Sequence, residues 1–339
     1  MALLRHLATT AFALSTALAL SACGASPTPS AEGASVSPTI SDSSAATSVS
    51  VEDNRGSKTV TTNPASVGAF DNRTFETLFD WGVELAVAPI GLMPATIGYQ
   101  SDTSIADVGT HNEPNLELIV AAEPDVIIVG QRFTQFYDDI AALTPEATLI
   151  ELDPRDGEPF ADELKRQVTV LGEIFSKQDE AQQLVDDYDA ALARVKAAYD
   201  PAQTAMAINV SGGEIGFIAP GKGRTLGPVF TDVGLTPALE VPESSDNHEG
   251  DEISVEAIAA SNPEWILVLD RSAAIDADNP DFKPAAEVIE ANAALKNVPA
   301  LQKGQVVYLP ADTYLNESIQ TYTEFLNDFA DALEAAKQA

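Results

Sequence analysis

The stretch NLELIVAAEPDVIIVGQR occupies positions 115–132, and a second stretch, SVEAIAASNPEWILVLDR, occupies positions 254–271. Glu117 and Glu256, Pro124 and Pro263, and Arg132 and Arg271 each stand 139 positions apart (271 − 132 for the last pair). Both copies read the same way. A short helical segment stops ahead of a proline, which disfavours helical geometry in the residue before it. A run of aliphatic residues then gives a strand, and an arginine follows shortly after. In open α/β sheets, ligands sit beyond the carboxyl ends of the strands. Two such units facing each other would carry a cation on either side of a gap.

Outside the two copies, short apolar runs alternate with amphipathic segments, the pattern of α/β units on mostly parallel sheets. These runs predict strands at 66–70, 85–88, 126–129 and 148–151 in the first half. In the second half they fall at 205–210, 215–219, 265–269 and 306–309. Between the halves lies KQDEAQQLVDDYDAALARVKAAY, 177–199, without Gly or Pro. Leu184, Tyr188, Leu192, Val195 and Tyr199 recur in it at three- and four-residue steps, predicting one helix roughly 35 Å long. The fold expected is α/β, with two Rossmann-like lobes (57–176 and 200–339), a bridging helix (177–199) and a ligand cleft between the lobes.

The amino-terminal segment reads as targeting rather than fold. Its apolar run LATTAFALSTALAL (7–20) is too short to span a bilayer. Leu20-Ser21-Ala22-Cys23-Gly24 is similar to a bacterial lipobox, which makes 1–22 a lipoprotein signal peptide and Cys23 the lipidated first residue of the mature chain. Cys23 is the only cysteine, so no internal disulfide forms. Its acyl chains would hold the protein on the outer face of the cell membrane. From Cys23 to position 56, Ser, Thr, Pro and Ala dominate, and a flexible tether is expected.

A formal net charge of −34 excludes nucleic acid and anionic lipid surfaces as partners. It leaves small anions open, because exposed charges are screened over about 8 Å at physiological salt. An enzyme is not indicated: Gly-x-Ser-x-Gly and His-Glu-x-x-His are absent, and nothing singles out a carboxylate pair. Capture of a bare zinc or manganese ion needs a cluster of histidines and carboxylates, and beyond the signal segment only His111 and His248 remain.

VGTHNEPNLELIVAAEPDVIIVG (108–130) resembles the signature of the substrate-binding proteins of ABC importers for siderophores, haem and cobalamin. The resemblance covers almost all of the chain after the tether. It implies two α/β lobes joined by one rigid helix, a monomer with no intrinsic cofactor, and delivery to a membrane permease. GQRFTQFYDDIAALTP around Arg132, IAPGKGRTLGPVFTDVGL around Arg224 and NPEWILVLDRSAAI around Arg271 are most similar to the branch that binds ferric catecholate siderophores. There, the resemblance implies, the three arginines pair with an anionic Fe3+ complex. His248 and Tyr314 would line the cleft and ligate iron left with open coordination sites. Glu117 and Glu256 would dock into arginine pockets of the permease. The chain departs from the branch by one extra residue between His248 and Ser254 and one fewer before Tyr314.

Arginine suits such a ligand because its planar fork stays protonated and stacks on aromatic rings. Each pairing is worth about 1 kcal/mol at 4 Å in bulk water and about 4 kcal/mol at an effective dielectric of 20. Haem, a dianion, is the alternative ligand; neutral hydroxamate complexes and cobalamin suit an arginine cleft less. His111, before Glu113-Pro114, reads as a local hydrogen-bonding residue, and the Gly221–Thr225 stretch lacks phosphate-loop spacing.

Overall fold

The computed structural model describes residues 47–338. The signal peptide 1–22, Cys23 and the tether up to residue 46 lie outside the described residues. The tether expected up to residue 56 is shorter than the composition suggests. Ser48–Asp53 (β1) and Gly56–Thr61 (β2) form an antiparallel hairpin. The composition hid it because SVSVED alternates small polar residues with just enough apolar surface. Val51 and Val60 are buried, and Asn54 in the turn donates its backbone N–H to the Glu151 carbonyl at 2.9 Å.

Two five-stranded sheets follow. The first contains Val67–Phe70 (β3), Val87–Ala88 (β4), Ala106–Asp107 (β5), Val126–Val129 (β6) and Thr148–Glu151 (β7). Its order is β5-β4-β3-β6-β7, parallel throughout. The second contains Thr204–Ser211 (β8), Glu214–Ile218 (β9), Thr236–Pro237 (β10), Trp265–Asp270 (β11) and Val306–Tyr308 (β12). Its order is β10-β8-β11-β12, parallel, with β9 antiparallel to β8. The two-residue strands β5 and β10 carry no run long enough to show in sequence. Alternation along the strands sorts side chains onto two buried faces, as parallel sheets require. Val126 and Ile128 join one core, Ile127 and Val129 the other. Trp265, Leu267 and Leu269 are likewise separated from Ile266 and Val268.

The duplication extends into the backbone. Glu123 and Asn262, each just before the proline, take left-handed φ of 43° and 49°. Asp125 and Glu264, each just after it, accept backbone N–H groups at the start of the neighbouring strand, from Ser66 at 3.0 Å and Thr204 at 3.3 Å. The proline breaks the helix and the acid ties the start of the neighbouring strand.

The segment between the sheets is a helical hairpin whose second helix occupies the stretch 177–199 and whose first helix precedes it. Phe160–Phe175 and Gln178–Ala198 run antiparallel about a turn at Ser176, whose φ is 54°. Gly172 permits the close approach, because a Cβ there would lie 2.7 Å from that of Ala181. Both helices contribute to both sides: Val170, Leu171 and Ala181 pack in the core of the first sheet, Leu164, Val168, Tyr188 and Val195 in that of the second. Leu184 touches both. The carboxyl-terminal helix Ile319–Ala336 packs alongside Gln178–Ala198, burying Phe325 and Phe329. Among the described residues no helix is long and apolar enough to cross a membrane.

Candidate functional site

Tyr314 stands in the segment between β12 and the last helix and is only 6% exposed. Three guanidinium groups surround its ring. Arg224 lies 4.9 Å from the ring centroid, Arg271 5.0 Å and Arg132 5.5 Å. These are cation–π distances. Each arginine arrives from a different element. Arg132 lies in the 3-10 helix Gln131–Phe136 directly after β6, and Arg271 opens the helix Arg271–Ile275 directly after β11. Asp270 caps that helix, accepting from Ala273 N at 3.0 Å. Arg224 comes from the loop after β9. Its glycines serve close backbone packing: a Cβ on Gly223 would lie 2.6 Å from Ala219 N.

The three cations are not equivalent. Arg224 donates to Glu317 from Nε at 3.3 Å and from a terminal nitrogen at 3.0 Å. Arg271 donates to Ser211 Oγ at 2.7 Å, and its nearest carboxylate is the half-exposed Glu249 at 3.5 Å. Its buried Nε has no partner. Arg132 makes no ion pair among the described residues; its hydrogen bond goes to Gln131 Oε1 at 3.1 Å. Burial and the nearby charge of Arg224 bring its pKa below the ordinary arginine value. The site therefore holds uncompensated positive charge at Arg132 and a partly unsatisfied donor at Arg271.

Behind the cluster lies an acidic support that the sequence reading missed. Glu317 is fully buried and accepts from Arg224, from Thr225 Oγ1 at 2.5 Å and from Gln131 Nε2 at 2.5 Å. Arg73 stands 3.6 Å away and donates to Asp153 at 3.0 Å. Burial alone would raise the Glu317 carboxyl, but Arg224 and Arg73 hold it at about 2. Tyr314 shows the same contest. Burial raises its phenol, yet Arg271 beside it and the charges of Arg224 and Arg132 bring it below its ordinary value. A phenolate is thus more accessible there than on a free tyrosine.

Arg73 had a signal in the sequence: it stands three positions after the end of β3, as Arg132 does after β6. Glu317 had none, since its partners come together only through packing.

The histidines exchange places relative to expectation. His248 is exposed and lines no cavity around the arginines. Its loop is tied down by Ser245 and Asp251 and presents the neighbouring Glu249 to Arg271. His111 lines the cavity, with its buried Nδ1 unpartnered. Burial and then the charges of Arg132 and Arg224 lower its pKa, which favours the neutral imidazole. Glu117 and Glu256 are exposed at the first turns of helices Glu117–Ala121 and Val255–Ala260.

Arg132 and Arg271 open onto a cavity of about 1030 Å³ lined by residues of both halves, His111 and Tyr314 among them. A smaller space of about 390 Å³ adjoins it, lined by Arg73, Gln131, Arg132, Asp153, Arg224 and Glu317. Among the described residues no group of His, Cys, Asp and Glu is arranged to hold a metal ion.

Parallel α/β sheets with a large arginine-lined cavity form the architecture of a ligand-binding protein. The chain belongs to the periplasmic binding protein family, whose profile matches residues 67–313. It is 28% identical over 327 residues to the petrobactin-binding protein YclQ of Bacillus subtilis, covering 95% of this chain and 97% of that one. It is 28% identical over 263 residues to the ferric-anguibactin-binding protein FatB of Vibrio anguillarum, covering 76% and 79%. The crystal structure of YclQ superposes with a TM-score of 0.71 at 25% identity, covering 85% of this chain and 99% of that chain.

Proposed function

We propose that the protein captures an anionic ferric siderophore, of catecholate type, outside the cytoplasm and delivers it to the permease of an ABC importer. One observation carries the reading: three guanidinium groups gather within 5.5 Å of a single tyrosine ring, two of them lining a cavity large enough for a metal chelate and the third a smaller space that adjoins it. A flat, oxygen-rich trianion offers each of them an acceptor, and its aromatic rings offer a stacking face. The family membership and the ferric ligands named for FatB and other relatives support the same ligand class. Tyr314, which lines the cavity and has a lowered phenol pKa, is the proposed direct ligand of iron. His111 replaces His248 as the histidine that could join it.

In this reading the two sheets are two lobes, the helical hairpin fixes their spacing, and the cavity is the cleft between them. Residues 57–176 and 200–339 form the lobes, with β1 and β2 added to the first, and 177–199 is the longer bridging helix. The protein acts as a monomer without intrinsic cofactor, anchored through lipid on Cys23 to the outer face of the cell membrane. Glu117 and Glu256 dock the two lobes onto the permease.

Titration of the purified protein with ferric catecholate, ferric hydroxamate, haem and cobalamin tests this. Tight binding of the ferric catecholate alone, weakened at least about tenfold by Arg132→Ala or Arg271→Ala, is expected, a loss of about 1.4 kcal/mol each. Equal responses to all four ligands, or none, would overturn it.

A further inference from the structure

Seven non-glycine residues take positive φ among the described residues, and two of them adjoin arginines of the site. Gln131, at φ 46°, immediately precedes Arg132; Thr225, at φ 66°, immediately follows Arg224. Such backbone is uncommon for glutamine and a genuine outlier for a β-branched residue. Around Thr225 the chain closes a three-residue turn, Leu226 N donating to the Arg224 carbonyl at 2.8 Å. With positive φ at its centre, that is the rare and strained form of the γ-turn. Strain of this kind persists only where neighbouring contacts over-determine it, and it clusters at ligand clamps.

Both strained residues are held by one carboxylate. Gln131 Nε2 donates to Glu317 Oε2 and Thr225 Oγ1 to Glu317 Oε1, each at 2.5 Å. The Gln131 backbone N–H also donates to Asp153 at 2.5 Å, and the Thr225 carbonyl accepts from Tyr322 Oη at 3.0 Å. Gln131 follows β6 of the first sheet and Thr225 follows β9 of the second, so Glu317 ties the two halves together. The Gln131 amide has one favourable orientation, because turned over its oxygen would face the carboxylate. Its Oε1 is thereby aimed at Arg132, from which it accepts at 3.1 Å.

We propose that Gln131 and Thr225 are positioning residues: joined through Glu317, they fix Arg132 and Arg224 in one geometry before the ligand arrives. Backbone stability is given up to preorganise the cations. This rests on the anion-binding reading of the site and adds how its affinity arises.

The test is a double-mutant cycle in the full chain, with a hexadentate ferric tris-catecholamide as the probe and fluorescence quenching as the readout. Gln131→Ala is expected to weaken binding about tenfold (about 1.4 kcal/mol). If Gln131 acts through Arg132, adding Gln131→Ala to Arg132→Ala should weaken binding no further. A side chain that merely supports the fold, or that touches the ligand itself, would add its own loss, and additive losses overturn the proposal. Gln131→Gly removes the same side chain yet takes positive φ freely. It should melt no lower than Gln131→Ala and bind as weakly, which separates lost affinity from misfolding. Thr225→Val keeps the shape without the hydroxyl; Thr225→Ser keeps the hydroxyl and should bind about tenfold tighter than the valine variant. Unchanged affinity in both Gln131 variants, or equal affinity in the two Thr225 variants, overturns the positioning role and leaves the siderophore reading intact. A wild-type protein that binds no ferric catecholate overturns that reading, and the proposal with it.

Discussion

Arg224 and Glu317 are joined by two hydrogen bonds, 3.3 and 3.0 Å long, between a cavity-lining guanidinium and a carboxylate with a side chain 1% exposed. Removing one partner of a buried pair leaves the other charge uncompensated, which costs roughly 3–5 kcal/mol. Glu317→Gln is therefore expected to destabilise the protein by several kcal/mol at pH 7. The pH dependence has a definite sign. A carboxylate held at about 2 contributes stability that is present above its ordinary 4.5 and lost as pH falls toward 2. Urea unfolding should show the gap between wild type and variant closing across that interval.

Asp71 behaves in the opposite sense. It is fully buried, and burial followed by the charge of Asp153 raises its carboxyl to about 7. A raised carboxyl contributes stability that is full below its ordinary 3.8 and lost as pH rises through 7. Melting temperature should decline between pH 5 and pH 8. Asp71→Asn keeps an acceptor for the Arg73 N–H at 2.9 Å, and Gln167 can turn its amide to meet the new donor. A flatter profile is expected, with stability at pH 8 no lower than wild type.

Tyr314→Phe separates the ring from its hydroxyl. The ring still offers a face to the three guanidinium groups, so a ferric complex with all coordination sites filled should lose little affinity. A tetradentate ferric complex, which leaves sites open for a phenolate, should weaken about tenfold, near 1.4 kcal/mol. Its phenolate-to-iron absorption band should vanish. Persistence of the band in the variant would assign the ligand elsewhere.

Glu117 and Glu256 touch nothing in the cavity. Alanine at either position should leave ligand affinity unchanged and reduce uptake in cells, with the double variant losing more than either single one. Loss of one partner of a charge pair that becomes buried and hydrogen-bonded on docking costs about 2 kcal/mol or more. Unimpaired uptake in the double variant would remove both glutamates from the docking surface.

His111 and His248 show where local reading stops. Both stand in polar loops with acidic neighbours, and nothing in the adjacent residues tells them apart. The fold brings one, half-buried, within reach of the charges of Arg132 and Arg224 and leaves the other exposed. The helical hairpin was half legible for a related reason. The stripe of Gln178–Ala198 is visible in sequence, whereas the use of both faces of Phe160–Phe175 depends on which core each face meets.

The sequence by itself determined the duplicated helix–proline–strand–arginine unit, the strands at Val126–Val129 and Thr148–Glu151, and the two arginines that follow matching strands. Those features rest on short-range physics: side-chain alternation and the restriction ahead of proline. Only the tertiary structure decided that Glu317 and Arg73 would brace Arg224 and that His111 would enter the cavity. Each of these depends on residues far apart in the chain. Their pairing is set by how two sheets and a helical hairpin pack, and no local pattern encodes it.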